Sequence, residues 1–271
     1  MFRILLLVLP TLVAASWPLS YWPWSRHNFD RDSEYYFVNF DAEKCTVPPF
    51  LWCTSEQLAA ACGVSAACAK YKARAERPVK ITYLYESLCA ACHYYLLHTL
   101  YDQIFWQFDE SELEIELLPF GNARVTDDRI VCQHGATECA FNRLQSCALH
   151  EAPVRPSGLP FVACVERAIM PSGRSTPDPM GVLDGCAKAA YFSERQINNI
   201  RDCYNGPQGH ELQLAAGNRT AELGWPDTKA GVPWIVLNDV SLKHVQPYKQ
   251  RLHELICQAL FDRKVPSLQC I

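Results

Sequence analysis

With 271 residues, 49% of them hydrophobic, the chain is long enough for one large domain, or a medium domain with a small appendage, and holds ample apolar material for a core. Its formal net charge of −4, with no basic stripe along the sequence, excludes a nucleic-acid binder. Fourteen cysteines, an even number, are the feature of the composition that most needs a chemical explanation.

The first residues, MFRILLLVLPTLVAAS, set Arg3 before an apolar run from Ile4 to Val13 and small residues at Ala14, Ala15 and Ser16. That order is the pattern of a secretory signal peptide over residues 1–16. The run is shorter than the roughly 20 residues a spanning helix needs, and no later stretch is long and apolar enough, so no stable membrane insertion is expected. Behind such a leader, cysteines pair as disulfides more often than they bind metal. With Cys89 and Cys92 set aside, up to six structural bridges are possible, and the sequence leaves their connectivity open. Asn218-Arg219-Thr220 is a glycosylation acceptor of the same compartment.

Residues 17–44 are aromatic and polar without periodicity and read as a linker or pro-segment. Residues 45–70 pack four cysteines into a short helical stretch, with Thr54 or Ser55 placed to cap a helix that Gly63 ends. So small a module buries little surface and relies on cross-links. Trp52-Cys53, Ala59-Ala60-Ala61-Cys62-Gly63 and Cys68 make this segment similar to the saposin A-type domain.

From residue 78 a larger domain runs to residue 271. Val79 to Glu86, rich in β-branched and aromatic residues, predicts a strand. Ser87 is placed to cap the helix that follows, where Tyr95, Leu96, Thr99, Leu100 and Phe105 recur at helical spacing. Leu113 to Ala123 predicts a second strand ended by Gly121, parallel to the first through a right-handed crossover. Arg124 to Leu223 is cysteine-rich and helical in composition. Trp234 to Leu237 predicts a third strand, turning at Asn238-Asp239, and a closing helix spans about Pro247 to Phe261. Without the insertion the order is βαβ…ββα, an α/β fold with a thioredoxin-like core and a helical, disulfide-rich insertion.

Cys89-Ala90-Ala91-Cys92-His93 carries the chemistry, and three readings compete. As a C-x-x-C-H haem attachment it needs a second axial ligand, usually Met or His, and it leaves the other cysteines unexplained. A zinc site needs a second ligand pair, and Cys132, His134 and Cys139 are the residues available, at unusual spacing and in an oxidising setting. The redox reading explains most. At a helix start, unpaired N–H groups and the macrodipole favour a Cys89 thiolate, and Cys92 one turn inward is placed to resolve a mixed disulfide. An inert structural disulfide is the bland alternative. Val232-Pro233, just before the third strand, adds to the redox reading: a cis proline there leaves backbone free to pair with an incoming peptide.

Cys132 to Cys147, CQHGATECAFNRLQSC, fits C-Q-H-G-x-x-E-C-x-x-N-x-x-x-x-C at Cys132, Gln133, His134, Gly135, Glu138, Cys139, Asn142 and Cys147. On this signature, with the C-x-x-C, the Pro119 to Ala123 turn, a helix bearing Cys186 and Cys203, and VPWIVLN, the chain resembles the gamma-interferon-inducible lysosomal thiol reductase family. The resemblance implies reduction of protein disulfides in an acidic endosomal or lysosomal compartment, with Cys89 and Cys92 as the active pair. A small external thiol would serve as reductant, with no bound cofactor and no metal. Secretion remains open, as do two rival functions, a secreted disulfide oxidase or isomerase and a saposin-like lipid or partner binder. The signature cysteines read as disulfide partners and His134 as a residue tuning the site. His93 reads either as a cation near Cys89 or as a surface histidine. Acidity sets the difficulty: at a pKa of about 8.5 only about one thiol in 3,000 is ionised near pH 5, and a pKa of roughly 6 raises this to about a tenth.

Overall fold

In the computed structural model, residues 48–74, 78–127, 129–169 and 176–270 are described. The expected signal peptide, the linker and Cys45 lie outside the described residues. The central strand, β1 (Val79–Tyr85), is buried along its whole length. It pairs on one side with β2 (Leu113–Pro119) in parallel, from Val79 opposite Leu113 to Tyr85 opposite Pro119. On its other side it pairs antiparallel with β5 (Trp234–Leu237), giving the order β2-β1-β5. A strand covered on both faces carries few polar residues, as VKITYLY does.

Alternation along β1 divides the core. Ile81, Tyr83 and Tyr85 point into the larger cluster with Leu96, Leu100, Ile104, Phe141, Phe161 and Ile256. Leu84 points to the opposite face, with Leu118, Phe120, Trp234 and Val236. Each such side chain, fully buried, contributes about 1.5–3 kcal/mol. Lys80 and Thr82 share that opposite face and are satisfied there. The Thr82 hydroxyl donates to Glu116 at 2.7 Å, and the Lys80 ammonium lies 2.9 Å from the same carboxylate.

The helix after β1 is α-helical over α3 (Ala90–Tyr94) and π-wound over Tyr95–Phe105. β2 stops at Pro119, short of the expected end, because Gly121 turns the chain at φ +62° and any side chain there would collide with the Glu86 carboxylate. An exposed hairpin, β3 (Arg124–Thr126) with β4 (Arg129–Val131), follows. Five helices then form the insertion: α4 (Ala136–Glu151), α5 (Leu159–Ile169), α6 (Pro179–Ala189), α7 (Glu194–Asn205) and α8 (Pro207–Glu222). Bridges Cys147–Cys203 and Cys164–Cys186 tie α4 to α7 and α5 to α6. Cys186 and Cys203 thus stand on two helices, not on one as expected. The fold is α/β with a thioredoxin-like core and a helical, disulfide-rich insertion.

Two expectations near the C-terminus are corrected. The strand expected after the Asn238-Asp239 turn reduces to single bridges, Leu237 with Val240 and Pro226 with Ser241. Ser241 spends its backbone elsewhere: its N–H donates to the Trp225 carbonyl at 2.9 Å, and its carbonyl accepts from the Asp227 N–H at 3.1 Å. The closing helix α9 spans Leu252–Asp262, because Lys243–Arg251 winds as a 3-10 helix containing Pro247, whose ring nitrogen has no hydrogen to donate. Cys257–Cys270 ties the tail to α9. In the small N-terminal piece Ser55 caps α1 (Glu56–Ala61), Gly63 takes φ +67° before α2 (Ser65–Lys72), and Cys53 is bonded to Cys68.

Candidate active site

The turn between β1 and α3 is held from outside. The Ser87 N–H donates to Asn142 Oδ1 at 3.0 Å, and the Ser87 hydroxyl donates to the Glu138 carbonyl at 3.2 Å. Ser87 is therefore spent on α4 and does not cap α3. Cys89 is the cap: its backbone is extended and its Sγ accepts from the Cys92 N–H at 3.3 Å. A sulfur at an N-cap faces the unpaired amides of the first turn, which favours the thiolate.

The two cysteines are unbridged and unlike. Cys89 is half-buried, and Cys92 is 1% exposed. A hydrogen bond from the Cys92 thiol lowers Cys89 from an ordinary 9.0 to about 7; burial opposes this, and the first-turn N–H groups add to it. Burial drives Cys92 far upward, and the neighbouring Cys89 sulfur adds to the rise. One sulfur is poised to ionise, and the other holds its proton.

Across from the pair, the Val232–Pro233 peptide is cis, with the Val232 carbonyl 4.0 Å from Cys89 Sγ. Lys249 Nζ donates to the Pro233 carbonyl at 3.0 Å, and the Tyr95 hydroxyl donates to the Lys249 carbonyl at 2.9 Å. Beneath the pair, the Tyr83 hydroxyl donates to the Cys92 carbonyl at 3.0 Å.

His93 is not a surface residue. It is 2% exposed and pairs through Nδ1 with Glu166 of α5. Glu166 also accepts from Gln145 at 2.5 Å, and Gln145 accepts from the Tyr85 hydroxyl at 2.6 Å. Burial raises the Glu166 pKa, against the pull of His93 and Gln145. Held in this buried pair, His93 is not presented as a haem ligand.

Every residue of the signature has a place. Cys132 and Cys139 are bonded to each other and Cys147 to Cys203, which removes the sulfurs a zinc reading needs. Gln133 accepts from the Asn122 side chain at 2.6 Å. Gly135 starts α4 at φ +83°, a backbone that favours glycine. Asn142 holds Ser87. His134 Nδ1 lies 2.5 Å from Glu138 Oε2 and 3.5 Å from Glu86 Oε1, and its N–H donates to Glu138 Oε1 at 3.2 Å. Glu86 Oε2 accepts from the Asn122 N–H at 2.8 Å. Glu86, His134 and Glu138 are the only three such donors grouped within 4.8 Å among the described residues. Their atoms are engaged with one another and with backbone, as a hydrogen-bonded charge network. Asn218 is exposed on α8, while the Thr220 hydroxyl is turned inward to the Ala216 carbonyl at 2.8 Å.

Sequence reasoning missed Glu86, Glu166 and Lys249. For Glu86 a signal existed, since a carboxylate directly follows the first strand, three residues before the first cysteine. Glu166 and Lys249 reach the site from distant segments and carry no local signal.

A thioredoxin-like sheet with an unbridged cysteine pair at the start of its first helix is the frame of a thiol-disulfide oxidoreductase, and the chain is of that class. Residues 80–190 match the family model described as gamma interferon inducible lysosomal thiol reductase. The gamma-interferon-inducible lysosomal thiol reductase of Carassius auratus is 31% identical over 236 residues, covering 85% of each chain. The gamma-interferon-responsive lysosomal thiol protein of Arabidopsis thaliana is 34% identical, over 67% of this chain and 70% of that one. Among solved structures, Chlamydia trachomatis DsbA is similar at TM-score 0.43 and 16% identity, over 66% of this chain and 88% of that one. The chain belongs to the gamma-interferon-inducible lysosomal thiol reductase family and is a disulfide reductase.

Proposed function

We propose that Cys89 and Cys92 reduce disulfides of protein substrates by dithiol exchange, in an acidic endosomal or lysosomal compartment reached through the secretory pathway. The observation that carries this reading is the asymmetry of the pair: a half-exposed Cys89 lowered to about 7 and a buried Cys92 raised beside it. The Cys89 thiolate attacks one sulfur of a substrate disulfide. A Cys89–substrate bond forms, and the other substrate sulfur leaves as a thiolate that takes a proton. Cys92 then gives up its proton and attacks Cys89 Sγ, so that a Cys89–Cys92 bond forms and the second substrate thiol is released. Two electrons have passed to the substrate, and a small external thiol returns the pair to the dithiol without a bound cofactor.

Val232 and Pro233 present backbone 4.0 Å from Cys89 Sγ, where an extended substrate strand can pair. The lysosomal compartment is supported by the names of the relatives and by the leader-like residues 1–16. Residues 17–44 serve as linker or pro-segment, 45–70 as a disulfide-bonded accessory piece, and 78–271 as the reductase domain. Among the described residues no helix is long and apolar enough to cross a membrane.

The test is reduction of an insulin-type disulfide substrate from pH 4 to pH 7. Cys89→Ser abolishes turnover, and Cys92→Ser accumulates a mixed disulfide on Cys89. Full activity in Cys89→Ser overturns the assignment. A measured reduction potential well above the thioredoxin range of about −270 mV overturns net reduction in favour of oxidation or isomerisation.

A further inference from the structure

The family signature places a histidine, His134, and a buried carboxylate, Glu138, against a second buried carboxylate, Glu86, beside the dithiol, and disulfide bonding explains none of the three. Glu86 is 1% exposed and Glu138 fully buried, whereas His134 stands at the surface. One imidazole serves both carboxylates unequally, at 2.5 Å from Glu138 and 3.5 Å from Glu86. Glu138 therefore holds most of the compensation. Glu86 keeps the Asn122 N–H and the more distant imidazole, in a pocket that the missing side chain of Gly121 leaves just wide enough.

Glu86 is also fastened to the reacting turn. Its backbone carbonyl accepts from the Cys89 N–H at 3.3 Å, which ties Glu86 directly to the residue bearing the reacting sulfur. We propose that Glu86 is a positioning residue that sets the charge beside the Cys89 thiolate: ionised, it opposes the thiolate, and by taking a proton in acid it removes that opposition. His134 and Glu138 set how readily Glu86 does so. The inference rests on the reading of Cys89 as the nucleophile and goes beyond it, by giving the signature an electrostatic part in the reaction.

The groups that face Glu86 are Cys89 and Cys92 from its own turn, His134 and Glu138 from α4 and its leading loop, and Lys229 from the loop before β5. The Lys229 ammonium donates to Asn122 Oδ1 at 2.9 Å. Lys249 faces the cysteines from the other side. Burial raises Glu86 above the ordinary carboxylate range, the Asn122 N–H opposes this, and Glu138 adds to the rise. His134 is raised chiefly by Glu138, against burial, and Glu86 adds to the rise. The thiolate fraction of an isolated thiol falls tenfold for each unit of acid. With Glu86 coupled to it, the fall is shallower across the range in which Glu86 takes its proton.

The experiment follows iodoacetamide alkylation of Cys89 in the reduced full chain from pH 4 to pH 8, read by mass spectrometry of the Cys89 peptide. Glu86→Gln keeps an oxygen for the Asn122 N–H and lacks the charge. It alkylates at most about twofold faster than wild type near pH 7, where the Cys89 thiol is already about half ionised, and roughly three- to fivefold faster near pH 6; the two profiles converge in acid where wild-type Glu86 is protonated. His134→Gln removes the cation beside Glu86, so Glu86 takes its proton more readily and the shallow range of the Cys89 profile begins at higher pH than in wild type. A merely structural role gives neither convergence in acid nor a displaced shallow range. Superposed profiles for Glu86→Gln and wild type overturn the proposal, as does a His134→Gln profile whose shallow range is not displaced to higher pH, which decides the matter if Glu86→Gln does not fold. Because the readout is Cys89 titration and not turnover, this outcome is separate from whether Cys89→Ser is inactive.

Discussion

Replacing Cys92 by alanine removes the largest single contribution to the reactivity of Cys89. The Cys92 thiol hydrogen is first among the groups that hold Cys89 at about 7, ahead of the first-turn N–H groups. At pH 5 a thiol of pKa about 7 is ionised to roughly one part in a hundred, and at 9.0 to roughly one in ten thousand. The whole environment is thus worth about a hundredfold in thiolate. Alanine leaves the backbone donors in place, including the Cys92 N–H at 3.3 Å. We expect the Cys89 inflection to rise by about one unit and alkylation between pH 5 and pH 6 to slow roughly tenfold. Serine retains a hydroxyl donor and falls between alanine and wild type. Pseudo-first-order alkylation rates across pH, on protein reduced and freed of thiol, measure this directly. If alanine, serine and wild type share one inflection, backbone amides alone hold the thiolate and the side-chain argument is wrong.

The Cys147–Cys203 bridge closes 56 residues of chain, so replacing both cysteines by alanine should lower stability by about 4 kcal/mol in urea titration; an unchanged midpoint contradicts a bracing role for it. Glu166 is raised in the folded state by burial, so its contribution to stability is present below the unfolded carboxylate pKa and lost as pH rises through the folded value. Glu166→Gln carries no such proton, and its urea midpoint should therefore decline less between pH 4 and pH 7 than that of wild type. An equal decline would place the linkage elsewhere.

Much of the frame was legible because it is written locally. The alternation and β-branching of Val79 to Tyr85, the C-x-x-C behind it and the proline before Trp234 are short-range signals, and each lies where the pattern put it. The signature read as disulfide-bonded, and Cys132–Cys139 and Cys147–Cys203 are bonded. What was not legible depends on chain segments far apart. Ser87 looked like a cap because serine at that spacing often is one, yet Asn142, 55 residues on, takes its N–H. His93 sits next to Cys92 in sequence, and only the packing of α5 buries it on Glu166. The fourth strand failed because the backbone of Ser241 is bonded to Trp225 and Asp227 and the chain winds as a 3-10 helix from Lys243, and neither has a periodicity to read.

An enzyme that opens other proteins' cross-links must not consume its own. Thiol exchange requires a nucleophile to approach along the sulfur–sulfur axis, so access decides which bridges survive. Cys147 is fully enclosed and Cys203 is 2% exposed, leaving no line of attack from a second copy's Cys89. The packing that stabilises the insertion therefore also shields it from self-digestion, and loosening that packing would turn the catalyst into its own substrate.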